Sequence, residues 1–156
     1  MPGRLWLCGK HAIGPDPEAL LGRVGASSVV CLTEIGELVD RYPEYVAWLN
    51  AAHADRAVWF PIPDLHAPQA DDAIALVVDV AARLERGDQV VIHCAAGFGR
   101  SGTLAVCVLI ALGLDAAAAL QLVAASRPMA GPEVGAQRDL VEAFADHLAA
   151  GSPTEG

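Results

Sequence analysis

Short runs of apolar and β-branched residues alternate along this chain with longer segments of helical periodicity. Ser28–Leu32, Ala57–Ile62 and Gln89–His93 have the length and residue types of buried strands. In Gln69–Arg86, apolar residues recur at steps of three and four, as they do on one face of a helix. This alternation predicts an α/β fold: one mainly parallel sheet of four to five strands, with helices on both faces.

The same patterns predict the remaining elements. They are a strand at Leu5–Cys8 and helices at Pro17–Arg23, Pro43–Ala54, Ser101–Leu112, Asp115–Ser126 and Val134–Ala149. With 156 residues, of which 54% are hydrophobic, the chain is long enough for one domain, which we place at residues 1–150. Residues 151–156 are predicted to be a disordered tail.

Net charge and hydropathy limit the cellular locations and the binding partners that we expect. The net charge of -9 disfavours nucleic acids and anionic membranes, both of which need a basic face. The longest uncharged apolar run, Thr103–Leu114, is shorter than the ~20 residues of a membrane span, and no secretory signal is recognisable. We therefore predict a cytoplasmic protein, and its alanine-rich, arginine-over-lysine composition is typical of a GC-rich bacterial genome.

The loop from Cys94 to Arg100 contains the candidate reactive residues. Cys94 and Arg100 bracket a run of small or apolar residues at the end of the strand Gln89–His93, and Ser101 then begins a helix. Backbone N–H groups of such a loop can surround a phosphate dianion, and an arginine can bind two of its oxygens at once. The same positive surroundings favour the thiolate form of Cys94. The predicted phosphate-binding residues are Ala95, Ala96, Gly97, Phe98, Gly99 and Arg100.

The stretch H-C-A-A-G-F-G-R-S-G resembles the H-C-x5-R-[S/T] signature of the cysteine-dependent protein tyrosine phosphatase superfamily, in its small dual-specificity branch. The resemblance implies that an acid lies on a loop upstream, and Asp64 in F-P-I-P-D matches that context. Asp71 and Asp72 are rivals, but acids at the start of a helix have an ordinary capping role.

Roles for these residues follow from the resemblance. Cys94 would attack a phosphate monoester to form a phosphocysteine, and Asp64 would act as general acid and then as general base. Arg100 and the loop amides would hold the phosphoryl oxygens, while Ser101 would assist departure of the thiolate or simply cap its helix. His93 would orient the loop.

Three further residues are left with two interpretations each. Gln137 either places the hydrolytic water or is an ordinary polar residue of the last helix. His66 either contacts substrate or is an exposed loop histidine. Cys31 either forms a disulfide with an oxidised Cys94 or, as with Cys8 and Cys107, is a core cysteine.

We predict a phosphoprotein phosphatase that prefers phosphotyrosine and also acts on phosphoserine or phosphothreonine, with no metal and no cofactor. The uncharged loop side chains disfavour polyphosphorylated lipids. Alternatives are a phosphatase of lipid or small-molecule phosphates, a rhodanese-like sulfur transferase or arsenate reductase, and an inactive phosphate-binding module. The predicted partner is a phosphorylated protein, and the sequence leaves the oligomeric state open.

Overall fold

Four parallel strands form one sheet at the centre of the molecule. The computed structural model describes residues 3–151, with side chains as far as Leu148. The strands are β1 (Leu5–Gly9), β2 (Ser28–Cys31), β3 (Ala57–Trp59) and β4 (Val90–Cys94). They lie in the order β1-β4-β2-β3, and every pairing is parallel. The predicted parallel α/β sheet is confirmed, with four strands in the described range.

Helices connect and cover these strands. Within residues 3–151 they are α1 (Lys10–Ile13), α2 (Pro17–Val24), α3 (Pro43–Ala51), α4 (Ala70–Glu85), α5 (Gly99–Ala111), α6 (Ala116–Ser126) and α7 (Gly135–Gly151), with a 3₁₀ turn at Ile35–Glu37. Asp16 and Asp115 cap α2 and α6, each accepting a hydrogen bond from a backbone N–H. The sequence pattern did not indicate α1 or the 3₁₀ turn, because each is too short to show a period.

The sheet is buried on both faces, so helices cover both sides as predicted. On one face, Val29 and Val91 pack with residues of α1, α2 and α3. On the other face, Val30 and Ile92 pack with residues of α4 to α7. Adjacent residues of one strand point to opposite faces, so a nearly continuous apolar strand such as β4 serves both cores.

Several predicted boundaries move by one to three residues. β3 ends at Trp59 rather than Ile62, since Pro61 and Pro63 have no N–H to donate to a neighbouring strand. The chain nevertheless continues beside β2, where Ile62 N donates to Leu32 O at 2.9 Å. The helix predicted from Ser101 begins at Gly99.

Gly151 ends α7, and residues 152–156 of the predicted tail lie outside the described residues. None of the helices in residues 3–151 has both the length and the hydropathy to cross a bilayer.

Candidate active site

Cys94 is the last residue of β4, and its thiol lies inside the predicted loop. The residue is 3% exposed. Its Sγ accepts a hydrogen bond from Gly97 N at 3.3 Å and lies 3.3 Å from Ser101 Oγ. Ser101 is in the first turn of α5 and is fully buried. The fold therefore brings Cys94 and Ser101 together across the loop, as the sequence predicted.

The loop closes tightly against the neighbouring strand β1. Gly97 has a φ of 87°, which favours glycine, and a Cβ at this position would lie 2.5 Å from the carbonyl carbon of Cys8. Lys10 N donates to Ala95 O at 2.9 Å and further ties the loop to the residues after β1. The small side chains of the loop are thus a packing requirement as well as a way of exposing backbone N–H groups.

Arg100 is 2% exposed and is held by several partners. Its two terminal nitrogens donate to the two carboxylate oxygens of Glu37, at 2.8 and 2.7 Å. Nη1 also donates to Ile62 O at 2.7 Å, and Nη2 lies 3.6 Å from Asp64 Oδ1. Arg100 and Asp64 are thus neighbours at the carboxyl edge of the sheet, where β4 ends at Cys94 and where ligands bind in open α/β folds.

Glu37 is a site residue that the sequence reasoning missed. Burial would raise the pKa of its carboxyl, but the hydrogen bonds from Arg100 and from Glu34 N, together with the positive charges of Arg100 and Lys10, hold the pKa below its ordinary value. The carboxylate also accepts from Glu34 N at 2.9 Å, and Lys10 Nζ donates to Glu37 O at 2.9 Å. Glu37 is therefore an ionised, fixed partner for Arg100.

Replacing Glu37 with glutamine should lower kcat/KM for p-nitrophenyl phosphate by about tenfold to a hundredfold. Glutamine can accept only one of the two hydrogen bonds from Arg100, so the guanidinium loses its fixed orientation. Steady-state kinetics would measure the change. The matched control is Asp40→Asn, a substitution of an exposed acid three residues further along the chain. Equal activity of both variants and the wild type would show that Glu37 does not position Arg100.

Asp64 lies on an exposed loop whose backbone is held by hydrogen bonds. Its side chain is 70% exposed, and the next residue, Leu65, has a φ of 63°. His66 is exposed, and its Nδ1 lies 2.8 Å from Asp64 O. The rivals Asp71 and Asp72 are exposed in the first turn of α4, where a negative charge interacts favourably with the positive end of the helix dipole.

Gln137 connects the Asp64 loop to α7. The residue is 1% exposed. Its Nε2 donates to His66 O at 3.3 Å, and its Oε1 accepts from Glu133 N at 2.8 Å. Both ends of the amide are therefore engaged with backbone groups. Placement of the hydrolytic water by Gln137 stays a prediction.

His93 lies beneath the loop and is fully buried. Its Nδ1 lies 3.2 Å from Cys94 O, and its Nε2 lies 2.6 Å from Tyr45 Oη. Since a carbonyl only accepts, Nδ1 carries the proton, and Nε2 accepts from the tyrosine hydroxyl. Burial lowers the pKa of His93 to about 4, so the ring is neutral near pH 7. This arrangement suits a residue that orients the loop.

Folding stability should fall as the pH is lowered from about 7.5 to about 5, with His93 contributing on the order of 2 kcal/mol. The pKa of His93 is about 4 in the folded protein and ~6.5 in the unfolded chain, so in this window the unfolded chain binds more protons. Urea denaturation followed by circular dichroism at each pH would measure the slope. We expect a shallower slope for His93→Asn, whereas exposed His53→Gln should match the wild type. Parallel slopes for His93→Asn and the wild type would contradict this assignment.

The other three cysteines are free thiols. Burial raises the pKa of Cys8 and of Cys107 to about 12, and it also raises the pKa of Cys31. Cys31 lies beside His93 in the strand register, and its Sγ is 3.2 Å from Thr33 Oγ1. A redox role for Cys31 stays a prediction.

Arg127 braces the loop from a distant part of the chain. Its Nε donates to Gly97 O at 2.7 Å, and its Nη2 donates to Ala96 O at 3.1 Å. Its guanidinium also lies 4.6 Å from the centre of the Phe98 ring. The sequence marked Arg127 only as the end of a helix, because nothing nearby in the sequence indicates what it contacts. Its donated bonds hold the carbonyls of Ala96 and Gly97 in place.

Within residues 3–151, no three His, Cys, Asp or Glu side chains are grouped so that they could hold a metal ion.

Comparison with known proteins places these observations in context. The family model "PTP-SAK: Swiss Army Knife protein, DSP-PTPase phosphatase domain" matches residues 1–147. The chain is 35% identical over 65 residues to mouse tyrosine-protein phosphatase non-receptor type 13, a stretch that covers 42% of this chain and 2% of that protein. The match therefore spans only a small fraction of that relative.

Two solved structures are similar over most of the chain. Tk-PTP in its active form is 26% identical, with a TM-score of 0.70 and coverage of 92% of each chain. PTPMT1, solved in complex with PI(5)P, is 18% identical, with a TM-score of 0.70 and coverage of 97% of this chain and 93% of that one. At 18% identity, the second likeness shows the shared fold alone.

Proposed function

This chain belongs to the PTP-SAK family of dual-specificity-type tyrosine phosphatase domains, and on that premise we propose that it hydrolyses phosphate monoesters of protein side chains through a phosphocysteine. The observation that carries the proposal is the placement of three side chains at the carboxyl edge of the sheet. Cys94 lies in a loop of backbone N–H donors, Arg100 is fixed by Glu37, and the Asp64 carboxylate lies 3.6 Å from Arg100. Family membership favours this chemistry over sulfur transfer and arsenate reduction.

In the first step, the Cys94 thiolate attacks phosphorus in line with the ester oxygen. The S–P bond forms as the P–O ester bond breaks, and Asp64 gives its proton to the departing oxygen. In the second step, Asp64 as carboxylate takes a proton from water, and that water attacks phosphorus. The S–P bond then breaks, and Ser101 donates a hydrogen bond to the departing thiolate 3.3 Å away.

Arg100 retains the donors that this mechanism needs. Both hydrogens of Nη1 are engaged, with Glu37 and with Ile62 O, and Nη2 gives one hydrogen to Glu37. Among residues 3–151, no acceptor within hydrogen-bond distance takes Nε–H or the second Nη2 hydrogen. These two donors point along one edge of the planar group, which suits two oxygens of a phosphoryl group. Together with the loop amides, they would stabilise the charge that spreads over the phosphoryl oxygens in the transition state.

The surroundings of the site favour a singly phosphorylated protein side chain. Glu34 and Asp64 place two exposed carboxylates at the rim, which disfavours additional phosphates next to the one being hydrolysed. A groove beside the Arg100 partners is lined by Ile35, Trp59 and Pro61 with Glu34, and Ile35 is 53% exposed. This rim suits substrates with apolar or basic flanking residues. Polyanionic lipid head groups, the alternative substrate class, would be repelled.

Replacing Asp64 with asparagine tests the mechanism and the substrate class together. We expect the wild type to prefer a phosphotyrosine peptide over the matching phosphoserine peptide, and both over phosphoinositide vesicles. Asp64→Asn should lower kcat/KM by about 10²-fold on phosphotyrosine and by more on phosphoserine, since an alkoxide is the poorer leaving group. Release of orthophosphate would be measured for each substrate.

The matched control is Asp72→Asn, which changes an exposed acid in the first turn of α4 and should leave all rates unchanged. An Asp64→Asn variant with wild-type rates on both peptides would remove Asp64 from the mechanism. A wild type that prefers phosphoinositide vesicles would overturn the substrate assignment.

A further inference from the structure

A second cavity lies away from Cys94, beside the edge strand β1. The cavity lies between β1, α5 and α6. Its volume of about 480 Å³ is within the size range of small-molecule sites. Its wall is mostly apolar and includes Leu5, Leu7, Leu109 and Leu122. Leu122 is 47% exposed, so the apolar surface reaches solvent. An apolar body that entered here would remove this surface from water.

Two arginines line the same cavity. Arg4 is exposed, and within residues 3–151 its side chain has no hydrogen-bond or ion-pair partner. Arg127 is held by its bonds to the loop carbonyls, and among the same residues its Nη1 has no acceptor. In a chain with 10 basic and 19 acidic residues, two guanidinium groups at one apolar cavity are a local reversal of charge. They favour an anion at this position.

We propose that this cavity binds an amphipathic carboxylate, a small molecule whose apolar body lies against the leucines and whose head group accepts hydrogen bonds from Arg4 and Arg127. A carboxylate matches the guanidinium fork with two oxygens. The site does not depend on catalysis by Cys94.

Isothermal titration calorimetry with octanoate tests this site directly. The wild type should bind octanoate with one site and should bind neutral 1-octanol at least about tenfold more weakly, since the alcohol lacks the charge that the arginines recognise. Arg4→Gln should weaken octanoate binding by about tenfold or more. Leu122→Glu, which places a carboxylate at the cavity, should abolish it.

The matched control for Leu122→Glu is Val78→Glu. Val78 is 54% exposed on α4 and does not line the cavity, so this variant has the same change in charge and should bind octanoate as the wild type does. Circular dichroism would verify that each variant folds. If Leu122→Glu does not fold, Arg4→Gln still tests the proposal, because it changes an exposed side chain. Absence of octanoate binding, equal affinity for octanoate and 1-octanol, or wild-type affinity in Arg4→Gln would overturn the proposal.

Discussion

Cys94→Ser is expected to reduce release of orthophosphate from p-nitrophenyl phosphate at least about 10⁴-fold. Among the described residues, the hydrogen-bond partners of Cys94 Sγ are Gly97 N and Ser101 Oγ, and neither is a base that could activate a serine hydroxyl. Binding of orthophosphate should persist, because the loop amides and Arg100 are unchanged. Steady-state kinetics would measure the first result and calorimetry with orthophosphate the second.

The matched control is Cys107→Ser, the same exchange of sulfur for oxygen at a buried core thiol of α5. Burial raises the pKa of Cys107 to about 12, so this residue is a thiol at neutral pH and its replacement should leave the chemistry intact. Activity of Cys94→Ser above a tenth of the wild-type activity would contradict the covalent mechanism. Loss of orthophosphate binding in that variant would instead indicate that the loop had changed shape.

Arg100→Lys is expected to lower kcat/KM by about 10²- to 10³-fold, even though the positive charge is kept. An ammonium group cannot satisfy both Glu37 oxygens and Ile62 O while also presenting two parallel donors to a phosphoryl group. The loss should appear in kcat as well as in KM, because the charge on the phosphoryl oxygens spreads most in the transition state. Kinetics with p-nitrophenyl phosphate and affinity for orthophosphate would separate the two parts.

Arg83→Lys is the matched control for this variant. Arg83 is 7% exposed in α4, where it pairs with Asp79 at 3.1 Å and donates to backbone carbonyls. Its replacement tests whether a buried, ion-paired arginine matters only for stability, and we expect a lower unfolding midpoint with unchanged kcat/KM. Arg100→Lys within tenfold of the wild type would mean that charge alone suffices and that the planar fork is not required.

The interactions around Arg100 and the loop explain how a loop of small residues is held in one conformation. Glu37 holds Arg100 from one side, and Arg127 binds the carbonyls of Ala96 and Gly97 from another. His93 donates to Cys94 O from below. Pre-organisation of this kind means that the donors need no reorganisation when the substrate binds.

What the sequence determined by itself is local. The strand β4, the loop and the start of α5 are contiguous, so the short span from Cys94 to Arg100 brings nucleophile, amides and guanidinium together in any fold that places a helix after that strand. The parallel sheet was also predictable, because alternation of buried strands and helices leaves few other arrangements.

Only the tertiary structure decided which residues support this loop. Glu37 lies 63 positions from Arg100, and Arg127 lies 30 from Gly97. No local pattern marks either partner, since each looks like an ordinary polar residue until packing of the 3₁₀ turn and of the end of α6 brings it to the carboxyl edge of the sheet. Short-range spacing thus determined the reacting groups, whereas long-range packing determined how rigidly they are held.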